Sequence, residues 1–217
     1  MQIDPNSATD LPVQIAQAIK DAIVSGALIV DERLPSEAEL ADQFKVSRPT
    51  VREALKRLEA EGLVTHAPHQ GSVVASRSVQ ELLETLDIRV GLESRALVLA
   101  IPHMTPAVFK EAETIIARYD ASEFPREWSE LNLEFHMCLY RPSGRPRLLK
   151  TIENLVRGID IHLRAHQSYA VGRKSPQNEH RAILDACIAG KAKRARDLLE
   201  AHIEHTQDVL RKEHGLI

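Results

Sequence analysis

The sequence predicts a mainly α chain. It should open with a winged helix-turn-helix of three helices plus a small β-hairpin and continue as an all-α antiparallel six-helix bundle. Three observations predict this. Residues 34–74 carry two short capped helices, the second basic at its start, then two short β-rich runs around a turn. From residue 79 onward a helical period returns six times between Pro and Gly breaks. Hydrophobic residues make up 43% of the chain but aromatics only 4%, which suits aliphatic helix-on-helix packing. The expected division is 1–75 for the head, 76–78 for a polar linker and 79–217 for the bundle.

Residues 1–10 are polar and lack periodicity. In 11–25, Val13, Ile15, Ala16, Ile19, Ile23 and Val24 form an apolar stripe ended by Gly26, so this helix should back the other two. Residues 27–33 are the connection, and Arg33 stands just before the next helix, open to a phosphate or simply to solvent. Ser36 is an N-cap with Glu39 as its capping-box partner, and Leu40, Ala41 and Phe44 form a short apolar face. Residues 45–47 break the period. Ser47 then caps a helix with Pro49 in its first turn, and Val51, Leu55 and Leu58 face inward. Residues 45–57 hold five basic side chains against one acid, Glu53. Gly62 ends the helix as a left-handed cap. Runs 63–65 and 72–74 read as strands around a turn at His69, Gln70 and Gly71.

A short helix entering a major groove by its basic N-terminus, next to a wing, is a plan for binding duplex DNA. The alternative for the pair alone is an ordinary helical hairpin with a solvated face. Total charge would not suggest DNA: 28 Lys and Arg stand against 31 Asp and Glu, a net −3. The positive charge is local, which supplies salt-dependent phosphate attraction while the acidic remainder limits non-specific binding.

The bundle segments are 79–100, 105–121, 125–140, 146–170, 175–189 and 192–213. Thr105 and Ser175 stand as caps, with Pro106 and Pro176 in the following first turns. Cys138 and Cys187 fall inside helical patterns and read as reduced, buried thiols. No export signal or long apolar run occurs, which predicts a cytoplasmic protein without a membrane span. Glycine-rich phosphate loops and nucleophile motifs are absent.

Four polar side chains fall where the bundle should be apolar. Asn132 and His136 lie one turn apart beside the stripe Trp128, Leu131, Phe135 and Leu139. His180 shares a face with Ile183, Leu184 and Cys187, and His202 lies alongside Leu198, Leu199 and Val209. Burial of such groups is costly unless something satisfies them, and a divalent metal would do so. Taken singly, each such histidine is more often a hydrogen-bonded core or boundary residue than a ligand. Arg89 and Glu93 also interrupt an apolar stripe with Leu82, Leu86 and Ala96. They could form an internal ion pair, or Arg89 could clamp an effector carboxylate. His162 and His166 face the same way as Ile152, Leu155 and Ile159, either lining a pocket or sitting at a helix edge.

The segment LPSEAELADQFKVSRPTVREALKRLEAEGLV, followed by HQGSVVA, resembles the winged helix of the GntR superfamily of bacterial transcription regulators. The resemblance places Arg48, Thr50 and Arg52 among the operator contacts, with Ser47 and Arg33 as further DNA-binding candidates beside them, and puts the wing tip at His69 and Gly71 in the minor groove. Ala38 stands where some members carry a DNA-contacting arginine, and His69 replaces a common wing glycine. The helical half, with NLEFHMCLYRPSGRPRLL and EHRAILDACIAGKAKRARDLLEAHIEH, resembles the FCD ligand-binding domain of the FadR branch, in its shorter six-helix form. That resemblance implies a metal held by Asn132, His136, His180 and His202, of the Zn, Ni or Mn type. Position 132 is more commonly Asp. It implies a small carboxylate effector reaching Arg89, a homodimer on duplex operator DNA, and a ligand-responsive regulator, usually a repressor. Two other functions fit the same residues: a regulator that answers to the metal alone, and a helical metal hydrolase, for which no general base is well placed.

Overall fold

The computed structural model describes residues 10–24, 27–67, 71–122, 125–165 and 174–217. It divides the chain into two compact units, Met1–Arg77 and Ser78–Ile217. In the first, α1 (Leu11–Val24) and α2 (Glu37–Phe44) pack on α3 (Arg48–Ala60), which also touches the hairpin of β1 (Val64–Ala67) and β2 (Gly71–Val74). Ile15, Ile19, Leu40, Val51 and Leu58 are buried almost completely between them. Each such side chain contributes roughly 1.5–3 kcal/mol relative to exposure.

The capping box forms as the sequence predicts. The Ser36 backbone N–H donates to Glu39 Oε2 at 2.8 Å, and the Glu39 N–H donates to Ser36 Oγ at 3.3 Å. The turn to α3 passes through Lys45, which adopts a left-handed φ of 56°. At the far end of α3, Gly62 has φ +71°. There the Gly62 N–H donates to Glu59 and the Leu63 N–H to Leu58, both at 2.9 Å, closing a Schellman motif that turns the chain into β1.

The hairpin is antiparallel, with Val64 opposite Val74 and Ala67 opposite Gly71. A third segment joins it, at residues expected to be a plain connection. Val74 N–H donates to Glu32 O at 2.8 Å, Asp31 N–H to Val74 O at 3.0 Å and Leu34 N–H to Ser72 O at 2.9 Å. Residues 31–34 therefore pair with the open edge of β2, and Arg33 bridges Val73.

The second unit holds six helices among its described residues: α4 (Val79–Ala100), α5 (Pro106–Ala121), α6 (Pro125–Tyr140), α7 (Pro146–Ala165), α8 (Lys174–Ile188) and α9 (Ala192–Glu213). Ser78, expected in the linker, caps α4 through a full capping box with Glu81. Thr105 occupies the cap position of α5 but makes no side-chain cap bond. α8 starts one residue ahead of the expected Ser175 cap. The end expected for α7, at 170, lies outside the described residues.

α4 is the central element, packed against α6, α7 and α9, while α5 lies on α6 and α8, and α8 on α9. Leu82, Leu86, Leu97, Ile115, Leu139, Ile183 and Leu199 form the buried core. Gln207 fastens α9 to α4 by donating to Asp87 Oδ1 at 2.7 Å. Cys138 and Cys187 are free and buried, and burial pushes their thiols up to about 11 and about 12, so both stay protonated.

Gly62→Ala should destabilise the head by about 1–2 kcal/mol, since an L side chain resists this φ. The added Cβ would also sit 3.1 Å from Arg77 Nη2. A urea midpoint equal to that of the parent protein would contradict this.

Candidate metal centre and nucleic-acid face

On the exposed side of α3, Ser47, Arg48, Arg52 and Lys56 face solvent and Thr50 is half-buried. Ser47 is the N-cap, accepting from the Thr50 N–H at 3.3 Å, and the two hydroxyls share a hydrogen bond of 2.7 Å. Arg48 and Lys56 have no ion-pair partner among the described residues. Arg52 differs. Its Nε donates to Glu37 Oε1 at 2.9 Å and its Nη2 to Oε2 at 2.7 Å, a fork that ties α3 to the first residue of α2. The Arg52 hydrogen bond holds the Glu37 carboxyl below its usual range, with Arg48 and His66 adding to the effect. Arg33 is exposed on the edge segment and Gly71 opens β2 at φ +79°. His69 lies outside the described residues.

In the second unit three helices bring His136 (α6), His180 (α8) and His202 (α9) together. One ring nitrogen from each lies within 4.8 Å of the others. All three are buried, His136 at 3%, His180 at 1% and His202 at 9% exposure. Ring centroids stand 5.1 Å apart for His136 with each of the others and 4.8 Å for His180 with His202.

The hydrogen bonds around the cluster orient the rings. Tyr140, one turn after His136, donates to Glu93 Oε2 at 2.9 Å. Its oxygen therefore accepts at its other contact, His136 Nδ1 at 3.2 Å, which places the His136 proton on Nδ1. His202 Nδ1 lies 2.7 Å from Glu179 Oε2; a carboxylate only accepts, so His202 too is protonated on Nδ1. With both rings neutral, both Nε2 atoms are bare, and they face each other at 3.3 Å. His180 Nε2 is buried with no hydrogen-bond partner. The His136 and His202 nitrogens, each with an acceptor on the far side of its ring, thus converge with one ring nitrogen of His180, and such backing is how metal-ligating imidazoles are oriented. Two nitrogens bound tetrahedrally at about 2.1 Å stand roughly 3.4 Å apart, so the donor set fits a divalent ion.

Asn132 is half-buried one turn before His136. Arg89 joins the same network, donating through Nε to Glu93 Oε1 at 2.6 Å. The internal ion pair considered for it is formed, and it connects directly to the histidines. His162 is buried on α7; His166 lies outside the described residues. The sequence reading did not single out Tyr140, Glu179 or His205, whose Nδ1 lies 3.2 Å from Glu179 Oε1. Tyr140 and His205 had a signal, the four-residue step from His136 and the three-residue step from His202.

The family described as bacterial regulatory proteins, gntR family, matches residues 11–74, and the FCD domain matches residues 84–205. The chain belongs to the GntR family and carries an FCD domain. The transcriptional regulator YieP of Escherichia coli (strain K12) is 33% identical over 172 residues, 66% of this chain and 75% of that protein. The transcriptional repressor GlaR of the same strain is 30% identical over 196 residues, 85% of this chain and 89% of that protein. The solved structure of E. coli McbR/YncC shares the fold at a TM-score of 0.76 and 24% identity, over 95% of this chain and 99% of that one. This GntR-family chain is accordingly a DNA-binding transcription regulator and not a hydrolase. Among its described residues no helix is long and apolar enough to cross a membrane.

Burial pushes His136 and His180 well below the usual histidine range, with their imidazole neighbours adding to the effect. Both are neutral when folded and titrate normally when unfolded, so below about pH 6.5 the unfolded chain binds more protons. Metal-free protein should lose stability as pH falls through that point, at up to about 1.4 kcal/mol per pH unit for each histidine. Urea midpoints at pH 7.5, 6 and 5 after chelation check this, and a flat profile would contradict it.

Proposed function

We propose that this regulator is a homodimeric, ligand-responsive repressor whose helical domain holds a divalent metal and a small organic acid. The observation that supports this reading is the convergence of one ring nitrogen from each of His136, His180 and His202, with the His136 and His202 Nε2 atoms 3.3 Å apart, where neutral rings set their lone pairs against each other. Lone pairs so placed repel unless a cation lies among them. His136, His180 and His202 would hold the ion, with the Asn132 amide oxygen as a further donor, and imidazole donors favour Zn or Ni over Mn. The ion would supply a positive site for a carboxylate, and Arg89 would add a buried guanidinium in the same network.

On the DNA side, Arg48 is the leading phosphate or base contact, with Arg52, Ser47, Thr50 and Arg33 around it and the His69–Gly71 wing tip alongside. One small head buries only about 600–1,000 Å² on DNA, so a specific site calls for two heads on a two-fold operator. An acid that favours one arrangement of the dimer over another would then couple to DNA affinity.

Added Zn²⁺ or Ni²⁺ should stabilise chelator-treated protein, by about 2.7 kcal/mol at a hundredfold excess over Kd. His136→Ala and His180→Ala should abolish that gain, and a panel of small mono- and dicarboxylates should add a further thermal shift only when metal is present. Stabilisation by acids that survives His136→Ala would sink the proposed pocket.

Arg48→Ala should weaken binding to the protein's own promoter DNA and flatten the plot of log affinity against log salt by about one unit per head. An unchanged salt slope would remove Arg48 from the phosphate contacts.

A further inference from the structure

We propose that Arg89, Glu93 and Tyr140 form a relay that fixes the tautomer of His136, making Tyr140 a positioning residue for the metal centre. This inference rests on the metal reading above but concerns groups that do not ligate. Glu93 is completely buried, and Tyr140 likewise. One carboxylate oxygen of Glu93 accepts from Arg89 Nε at 2.6 Å and the other from the Tyr140 hydroxyl at 2.9 Å. The phenol has a single proton. If it pointed instead at His136 Nδ1, the Glu93 carboxylate and the phenol oxygen would face each other 2.9 Å apart with no hydrogen between them. Such a contact in a buried site is strongly unfavourable. The Arg89 charge keeps Glu93 an acceptor, Glu93 orients the phenol, and the phenol takes the Nδ1 proton of His136.

The alternative tautomer shows what the relay prevents. With its proton on Nε2, His136 would donate to His202 Nε2 across the existing 3.3 Å gap. Both Nε2 atoms would be satisfied, and a proton would occupy the line on which a cation must sit. Tyr140→Phe keeps the ring that fills the core but removes the acceptor at Nδ1, so it should release His136 into this closed form. A purely packing role for Tyr140 predicts no such switch.

The test uses full-length protein. Long-range ¹H–¹⁵N spectra of the imidazoles in chelated wild-type protein should show His136 protonated on Nδ1, and in Tyr140→Phe on Nε2. Zn²⁺ affinity, read by competition with a chelating dye, should fall tenfold to a hundredfold in that variant, the range for loss of a ligand-orienting partner. A wild-type His136 protonated on Nε2 would overturn the relay without any variant being needed. So would Tyr140→Phe protein with an Nδ1 proton and undiminished Zn²⁺ affinity. Wild-type protein that shows the Nδ1 proton but binds neither Zn²⁺ nor Ni²⁺ would support the relay while overturning the metal reading.

Discussion

Two imidazole nitrogens 3.3 Å apart, each with its ring's other nitrogen committed to an acceptor, constrain the whole helical domain. The rings cannot relax by exchanging a proton, because Glu93 through Tyr140 and Glu179 directly hold both protons on the far side. Nor can they turn to water, since both are buried. With both rings neutral, that contact is a concentrated unfavourable interaction in the core of the domain. The surrounding Leu and Ile packing must outweigh it whenever no cation is present, which is a cost natural proteins retain mainly at functional sites.

That packing explains why the histidines stay in place. α4 runs through the middle of the domain with its N-terminus fixed by the Ser78–Glu81 capping box, and it carries Arg89 and Glu93 inward on the same stripe as Leu82 and Leu86. α6 delivers His136 and Tyr140 one turn apart, while the antiparallel pair of α8 and α9 delivers His180, Glu179 and His202. α6 and α8 each carry both a cluster histidine and a residue that orients one, so the two are positioned together. A shift in any one helix would misplace both.

Local information in the sequence was enough for much of this. Ser36 with Glu39, Ser47 with Pro49, and Gly62 are cap signals whose physics acts over three or four residues, and each cap forms. The three buried histidines were legible because each breaks an apolar face of helical period. The pairing of 31–34 with β2 was not, because backbone hydrogen bonds across some forty residues leave no side-chain pattern. Glu37 reaching Arg52 depends on how α2 crosses α3, and Glu179 reaching His202 depends on how α8 lies on α9. Tyr140 was within reach of the four-residue rule. It reads as core because aromatic residues on an apolar face usually are.

The charges around the cluster bear on what a guest would have to be. The proposed ligand set, three imidazoles and an amide, would be neutral, so a bound divalent ion would keep its full charge in a poorly polarisable interior. Glu93 lies one hydrogen bond beyond His136, but its charge is matched by Arg89 at 2.6 Å. Glu179 is the remaining acid in contact with the network, and it is shared between His202 and His205. With the metal in place the centre would retain one positive charge in excess. A buried excess of that kind draws in an anion, and a carboxylate at an open coordination position supplies the missing charge together with a ligand oxygen. An aspartate at position 132 would supply that charge from the protein itself and weaken the demand. With Asn132 there, the proposed centre would depend more strongly on an acidic guest to balance its charge.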